Sequence, residues 1–185
     1  MLKDLVLKNR SYRGYDNDRR ITKEEMLELV DLARLVPSAA NRQPLRYHIA
    51  ADKAEVDAIQ ALTLWAGALA HLNLPYEGHR PTGFVVICHD TTCGQNLMDV
   101  GIAAQTLLLA AAEKGFGGCM IGSFKKKELT ELLHFEENIV PSLVIALGVP
   151  DEEIHLVEAE GDVTYYRDEN DVHYVPKRKL EDILV

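Results

Sequence analysis

The chain has 185 residues, of which 29 are acidic and 20 are Lys or Arg, for a formal net charge of −9. A composition 47% hydrophobic and 26% charged is that of a soluble globular domain spanning 1–185, and it excludes collagen, disordered tails and disulfide-stapled scaffolds. Only 6% of residues are aromatic and no long basic run occurs, which argues against nucleic acid as a partner. The three cysteines, Cys88, Cys93 and Cys119, show no paired spacing, as expected of a reduced, cytoplasmic chain. Met1 to Lys8 lacks the apolar run of a signal peptide. The most apolar stretch, 97–112, is too short for a membrane span and holds Asp99 and Gln105, so no membrane partner is expected.

Thr22-x-x-Glu25 reads as a capping box opening a helix through Leu35, with Met26, Leu29, Val30, Ala33 and Leu35 as its apolar stripe. Pro37 ends it, and the polar loop 37–44 follows. Arg46 to Ala51 predicts a strand, and Ala54 to Ala70 a helix weakened by Thr63 and Gly67. The stretch 71–83, with Pro75, Gly78, Pro81 and Gly83, predicts an irregular excursion. Phe84 to His89 is almost continuously apolar, as in a strand covered on both faces. Gln95 to Lys114 is the strongest helix, with Gly115 at its C-terminal cap. Gly118 to Ser123 predicts a strand, Lys125 to His134 an amphipathic helix, and Leu143 to Leu147 a central strand. Residues 151–176 are acidic and lack helical periodicity. A tail of about 35 residues with little regular structure is expected to dock on something, one candidate being a second copy of the chain. The alternation predicts an α+β fold with helices layered around a mixed sheet.

Four segments are candidates for chemistry. Arg10-Ser11-x-Arg13 supplies two guanidinium forks and a hydroxyl able to clamp a phosphate, or is an ordinary solvated surface. Asn41 and Gln43, in Ser38-Ala-Ala-Asn-Arg-Gln-Pro44, offer donor and acceptor together, which suits the edge of a flat heterocycle; the alternative is a polar turn. Gly117, Gly118 and Gly122 allow close backbone approach to a ligand or a tight connection, without matching a dinucleotide fingerprint. Lys177-Arg178-Lys179 is a solvated end or a second phosphate grip. Cys88-His89-Asp90-x-x-Cys93 superficially has ligand spacing, but neighbours on a strand point to opposite faces, so no metal is expected. No Gly-x-Ser-x-Gly or Walker sequence occurs.

In this order, Arg10-Ser11-x-Arg13, Ser38-x-x-Asn41-x-Gln43-Pro44, Gly115-Phe-Gly-Gly-Cys-Met-Ile-Gly122, Val144 to Pro150 and Val175-Pro-Lys-Arg-Lys-Leu180 resemble the nitroreductase family of flavin enzymes. The resemblance implies a three-layer α/β/α sandwich built as an intertwined homodimer, with 151–185 reaching the partner and FMN at the subunit interface. It implies Arg10, Ser11 and Arg13 as ribityl-phosphate ligands, completed by Lys177 or Arg178; spacing does not choose among Lys177, Arg178 and Lys179. Asn41 and Gln43 would address the flavin, Met120, Ile121, Gly122 and Ser123 would pack against the isoalloxazine, and the 95–114 helix would be the central dimer helix. The implied function is hydride transfer from NADH or NADPH through FMN to nitroaromatic, quinone or similar small-molecule acceptors by a ping-pong mechanism, with no obligatory catalytic acid or base. The alternatives are dehalogenation or flavin destruction on the same scaffold, or a non-catalytic flavin-binding module. In the 65–83 excursion, Trp65, His71, Tyr76 and His79 are expected to line a lid or to cover the core.

Overall fold

The computed structural model describes residues 1–94 and 97–185. Its helices are α1 (Leu2–Lys8), α2 (Lys23–Ala33), α3 (Lys53–Gln60), α4 (Leu97–Glu113) and α5 (Lys126–Leu132). Its strands are β1 (Tyr15–Asp16), β2 (Leu45–Ala50), β3 (Gly83–Asp90), β4 (Gly117–Ile121), β5 (Ile139–Pro150), β6 (Ile154–Glu158), β7 (Tyr166–Arg167) and β8 (His173–Lys177).

β3 and β5 form the heart of the main sheet. β2 flanks β3, while β4 and β1 both pair with β5. These four ladders are antiparallel, and the parallel component of the expected mixed sheet is confined to a bridge between Ser11 and Gly118. Every residue of β3 is buried. Its side chains alternate between two apolar clusters, as the two-residue period of a strand requires. Val85 and Ile87 pack with Ile145 and Leu147 against α2 and α4. Phe84, Val86 and Cys88 pack with Val144 and Ala146 against α3 and α5. Helices therefore cover both faces, which is why β3 reads as a continuous apolar run.

α2 begins as its sequence predicts. Thr22 Oγ1 accepts the Glu25 N–H at 3.1 Å, and Glu25 Oε2 accepts the Thr22 N–H at 2.8 Å. Met26, Leu29 and Ala33 are buried, whereas Leu35 lies beyond the helix and is exposed. The expected start of the long helix at Gln95 lies outside the described residues. Its end is marked by Gly115 at φ +82°.

Two elements depart from expectation. α3 stops at Gln60 rather than Ala70, because residues 62–64 pair with 123–125 instead of continuing the helix. Leu64 N–H donates to the Ser123 carbonyl and Lys125 N–H to the Leu62 carbonyl, each at 2.9 Å, around a Thr63–Phe124 bridge. The tail is also more regular than its composition suggests. β6 runs parallel to β8, and β7 pairs antiparallel with β8, giving a second three-stranded sheet. Tyr166 stacks on Tyr174 at 5.1 Å and Tyr165 on His173 at 5.6 Å. Glu152, just before β6, accepts bonds from the Arg13 backbone N–H and from Arg167, so the tail sheet is pinned to the N-terminal segment of its own chain. Among the described residues, no helix is long and apolar enough to cross a membrane.

Candidate functional site

Between the N-terminal segment, β4 and the tail sheet lies a cavity of about 340 Å³. Arg10, Ser11, Arg13, Met120 and Lys177 line it, together with Tyr165 and His173. The bridge from Ser11 to Gly118, reinforced by the Tyr12 N–H donating to the Gly118 carbonyl at 3.1 Å, places the arginine segment alongside β4. The pairing of β8 with β6 and β7 sets His173 and Lys177 on its other side. Lys177 therefore faces the cavity. Arg178 does not line it, and Lys179 pairs with Glu158 at 3.1 Å.

The cavity is rich in hydrogen-bonding capacity that the chain leaves unused. Arg10 Nη2 donates to the Val6 carbonyl at 2.6 Å and Arg13 Nη1 to the Ser11 carbonyl at 3.2 Å. The Nε atoms of both arginines are buried without a partner, as are both ring nitrogens of His173. Native proteins pair nearly all buried polar atoms, so four orphaned nitrogens around one cavity mark a site for an acceptor. Burial pulls the Arg10 guanidinium below its ordinary value. Burial, followed by the charges of Arg13 and Arg167, lowers the His173 pKa to about 4. Arg13 also lies over the Tyr165 ring, 4.7 Å from its centroid.

A second cavity of about 210 Å³ adjoins the first, sharing Arg13, Met120 and Tyr165. Trp65, Ile121, Gly122 and Ser123 complete its wall. Trp65 arrives there through the early end of α3, with its indole N–H donating to Thr63 Oγ1 at 2.8 Å. The neighbouring glycines divide in role. A Cβ on Gly117 would collide with Tyr12 and Pro150, and one on Gly118 with the Ala146 carbonyl and Leu108, so both serve internal packing. Gly122, by contrast, has open space beside it. Tyr76 and His79 instead join the tail, Tyr76 donating to Asp171 at 3.3 Å and His79 Nδ1 lying 2.8 Å from Asp151.

Asn41 and Gln43 lie elsewhere. Their loop is held by Asp99 of α4, which accepts from Ser38 Oγ at 2.7 Å and from the Ala39 N–H at 3.3 Å. Ser38 Oγ in turn accepts the Gln43 N–H at 3.0 Å. Ala40, Asn41 and Gln43 adopt φ of 51°, 53° and 47°, a left-handed conformation that asparagine tolerates but that costs about 1 kcal/mol or more for Ala40 and Gln43. Gln43 lines a separate cavity of about 160 Å³ with Ser38 and Asp99, and this cavity shares no residue with the cationic one. Three left-handed residues, two of them strained, anchored by a buried carboxylate form a presented loop, not a slack turn.

Cys88 and Cys119 offer no nucleophile. Burial pushes the Cys88 thiol up to about 12 and the Cys119 thiol up to about 11. Among the described residues, no group of three or more His, Cys, Asp or Glu side chains is placed to hold a metal. Tyr165 and His173 were absent from the sequence-derived site, because an acidic tail without apolar periodicity gives no sign of which residues turn inward.

The profile of the Nitroreductase family matches residues 6–87 and 94–149. A protein of Archaeoglobus fulgidus with the provisional name NADH dehydrogenase/NAD(P)H nitroreductase is 28% identical over 165 residues, covering 84% of this chain and 89% of that protein. A Bacillus subtilis strain 168 protein, provisionally named an NAD(P)H nitroreductase, is 29% identical over 175 residues, covering 77% and 87% of the two chains. Among solved structures, a provisional nitroreductase of Exiguobacterium sibiricum in complex with FMN aligns with a TM-score of 0.69 at 19% identity, covering 82% of this chain and 89% of that one. With most of its length matched by the family profile and its fold shared with a solved relative, the chain belongs to the nitroreductase family.

Proposed function

We propose that the protein is an FMN-dependent NAD(P)H oxidoreductase acting on nitroaromatic, quinone or similar small-molecule acceptors. The observation that carries this reading is the cationic cavity, where Arg10, Arg13 and Lys177 converge around buried nitrogens that lack an acceptor. A phosphate is the ligand those donors fit: it accepts from several directions and balances charge that burial leaves unfavourable. Arg10, Ser11, Arg13 and Lys177 would hold the phosphate end of FMN, and Met120, Ile121, Gly122 and Ser123 would pack against its ring system. Bound FMN supplies the redox chemistry, accepting hydride from a reduced nicotinamide and returning electrons to an acceptor. The chain's own contribution is position and electrostatics. Its cations would fix the anionic end, β4 supplies one wall, and the Trp65 segment forms part of the wall of the second cavity.

Asn41 and Gln43 support a homodimeric reading. Their loop is braced and strained, yet it lines no part of the cationic cavity, so it would complete the site of a second copy. The N-terminal part of α4 and the adjoining α1 expose Leu97, Met98, Ile102 and Leu2, an apolar surface suited to burial between subunits. The 151–185 segment would then contribute to the dimer mainly through its last residues, Leu180, Ile183 and Leu184, which are exposed, since 151–177 already pack on their own chain. Three unpaired cysteines fit a reducing, cytoplasmic setting.

The absorbance spectrum of the purified protein tests this reading. Flavin bands that bleach on anaerobic addition of NADH or NADPH, and return on addition of a quinone, are the expected result. A protein that neither carries nor takes up FMN would overturn it.

A further inference from the structure

We propose that His173 is a direct phosphate ligand of the bound cofactor. This rests on the reading of the cationic cavity as the phosphate end of an FMN site. His173 is 1% exposed, and neither ring nitrogen has a partner. An imidazole always carries at least one donor or acceptor at each nitrogen, and no other group of the chain pairs with either of these two. A residue retained only for packing would be apolar at such a position.

The ring is held firmly. Its backbone N–H donates to the Glu153 carbonyl at 2.9 Å, its strand pairs on both sides, and its ring stacks on Tyr165. Tyr165 and His173 both line the cavity that holds Arg10, Arg13 and Lys177. The charges around the ring decide what it can bind. Arg13 from the N-terminal segment and Arg167 from β7 face it as cations, Asp171 from the β7–β8 turn opposes them, Arg10 lines the cavity from the N-terminal segment, and Lys177 lines it from the end of the same strand. Under that field the ring is neutral near pH 7, with one N–H donor available. A metal cation would be repelled by the same arginines and lysine. An oxyanion is attracted by them and accepts the N–H.

The test compares flavin-free wild-type protein with His173→Phe and His173→Gln by equilibrium titration with FMN, riboflavin and inorganic phosphate, alongside thermal unfolding without ligand. His173→Phe keeps a stacked ring and removes both nitrogens, while His173→Gln restores a donor. The expected result is FMN affinity about tenfold weaker in His173→Phe, riboflavin affinity unchanged, partial recovery in His173→Gln, and an unfolding midpoint for ligand-free His173→Phe at or above that of the wild type. In the wild type, ring ¹⁵N resonances of His173 should move on adding FMN or phosphate and stay fixed with riboflavin. Equal FMN affinity in wild type and His173→Phe would overturn the inference, as would ring resonances indifferent to FMN and phosphate. A wild-type chain that fails to prefer FMN over riboflavin would instead overturn the underlying reading of the cavity.

Discussion

The cationic cavity and the 38–43 loop, assigned by family resemblance to one ligand, are built on opposite principles. At the cavity the backbone is relaxed and the side chains are unsatisfied: Arg10, Arg13 and His173 carry buried nitrogens without partners. At the loop the hydrogen bonds are made and the backbone is strained, with Ala40, Asn41 and Gln43 in left-handed conformation over the Asp99 anchor. The first offers the donors and charge that an anion would need. The second is a fixed projection that lines only a separate, smaller cavity. One chain contains both parts but assembles only one of them into a cavity with the tail, which is the arrangement expected if two copies share each site.

The comparison can be broken most severely at the tail. Ending the chain at Pro150 removes Tyr165, His173 and Lys177 from the cavity along with the whole second sheet, and FMN retention through gel filtration should be lost. Replacing Arg10 and Arg13 together by alanine removes two charge-assisted grips worth about 1.5–3 kcal/mol each, so FMN should bind roughly 10²–10⁴-fold more weakly, as read by fluorescence titration. On the loop side, Asp99→Ala deletes the acceptor for Ser38 and Ala39. The unfolding midpoint should fall by about 4–8 °C for a loss near 2 kcal/mol, and flavin affinity should fall with it while Arg10 and Arg13 remain intact. Ala40→Gly sharpens the same point with the opposite sign. Relief of the left-handed strain should raise the midpoint by about 1–3 °C, and a decrease would mean the loop stores no strain there.

The pH dependence separates the cavity from the loop in another way. His173 has its folded-state pKa lowered to about 4 from an ordinary value near 6.5. Between those values the unfolded chain binds the extra proton, so stability of the flavin-free protein should fall as pH drops from 6.5 towards 4. His173→Phe should flatten that part of the stability profile, which chemical denaturation at stepped pH would reveal.

Where sequence signals were local, they translated directly into structure. The Thr22–Glu25 capping box, the doubly buried β3 and the Gly115 turn each depend on a few neighbouring residues. Arg10, Ser11 and Arg13, whose spacing alone also allowed an ordinary solvated surface, line one cavity. Long-range pairing was not legible in the same way. α3 ends early because 62–64 meet 123–125, a contact with no mark in either segment beyond Thr63. The β6–β8 ladder joins two five-residue segments set within an acidic part of the chain, so neither the second sheet nor the inward turn of His173 and Tyr165 had a periodicity to betray it. α1 buries no residue and has only a short charged pattern to announce it.

The most direct test is subunit complementation. Two differently tagged chains are co-expressed, one carrying Arg10→Ala with Arg13→Ala and the other Asn41→Ala with Gln43→Ala, and the mixed dimer is isolated through both tags. If cavity and loop from different copies build each site, the mixed dimer has one intact site and one doubly broken site, and it should retain FMN at about half the wild-type stoichiometry. Absence of FMN from the mixed dimer, with each parent also empty, would contradict the shared site and place both parts of the grip in a single chain.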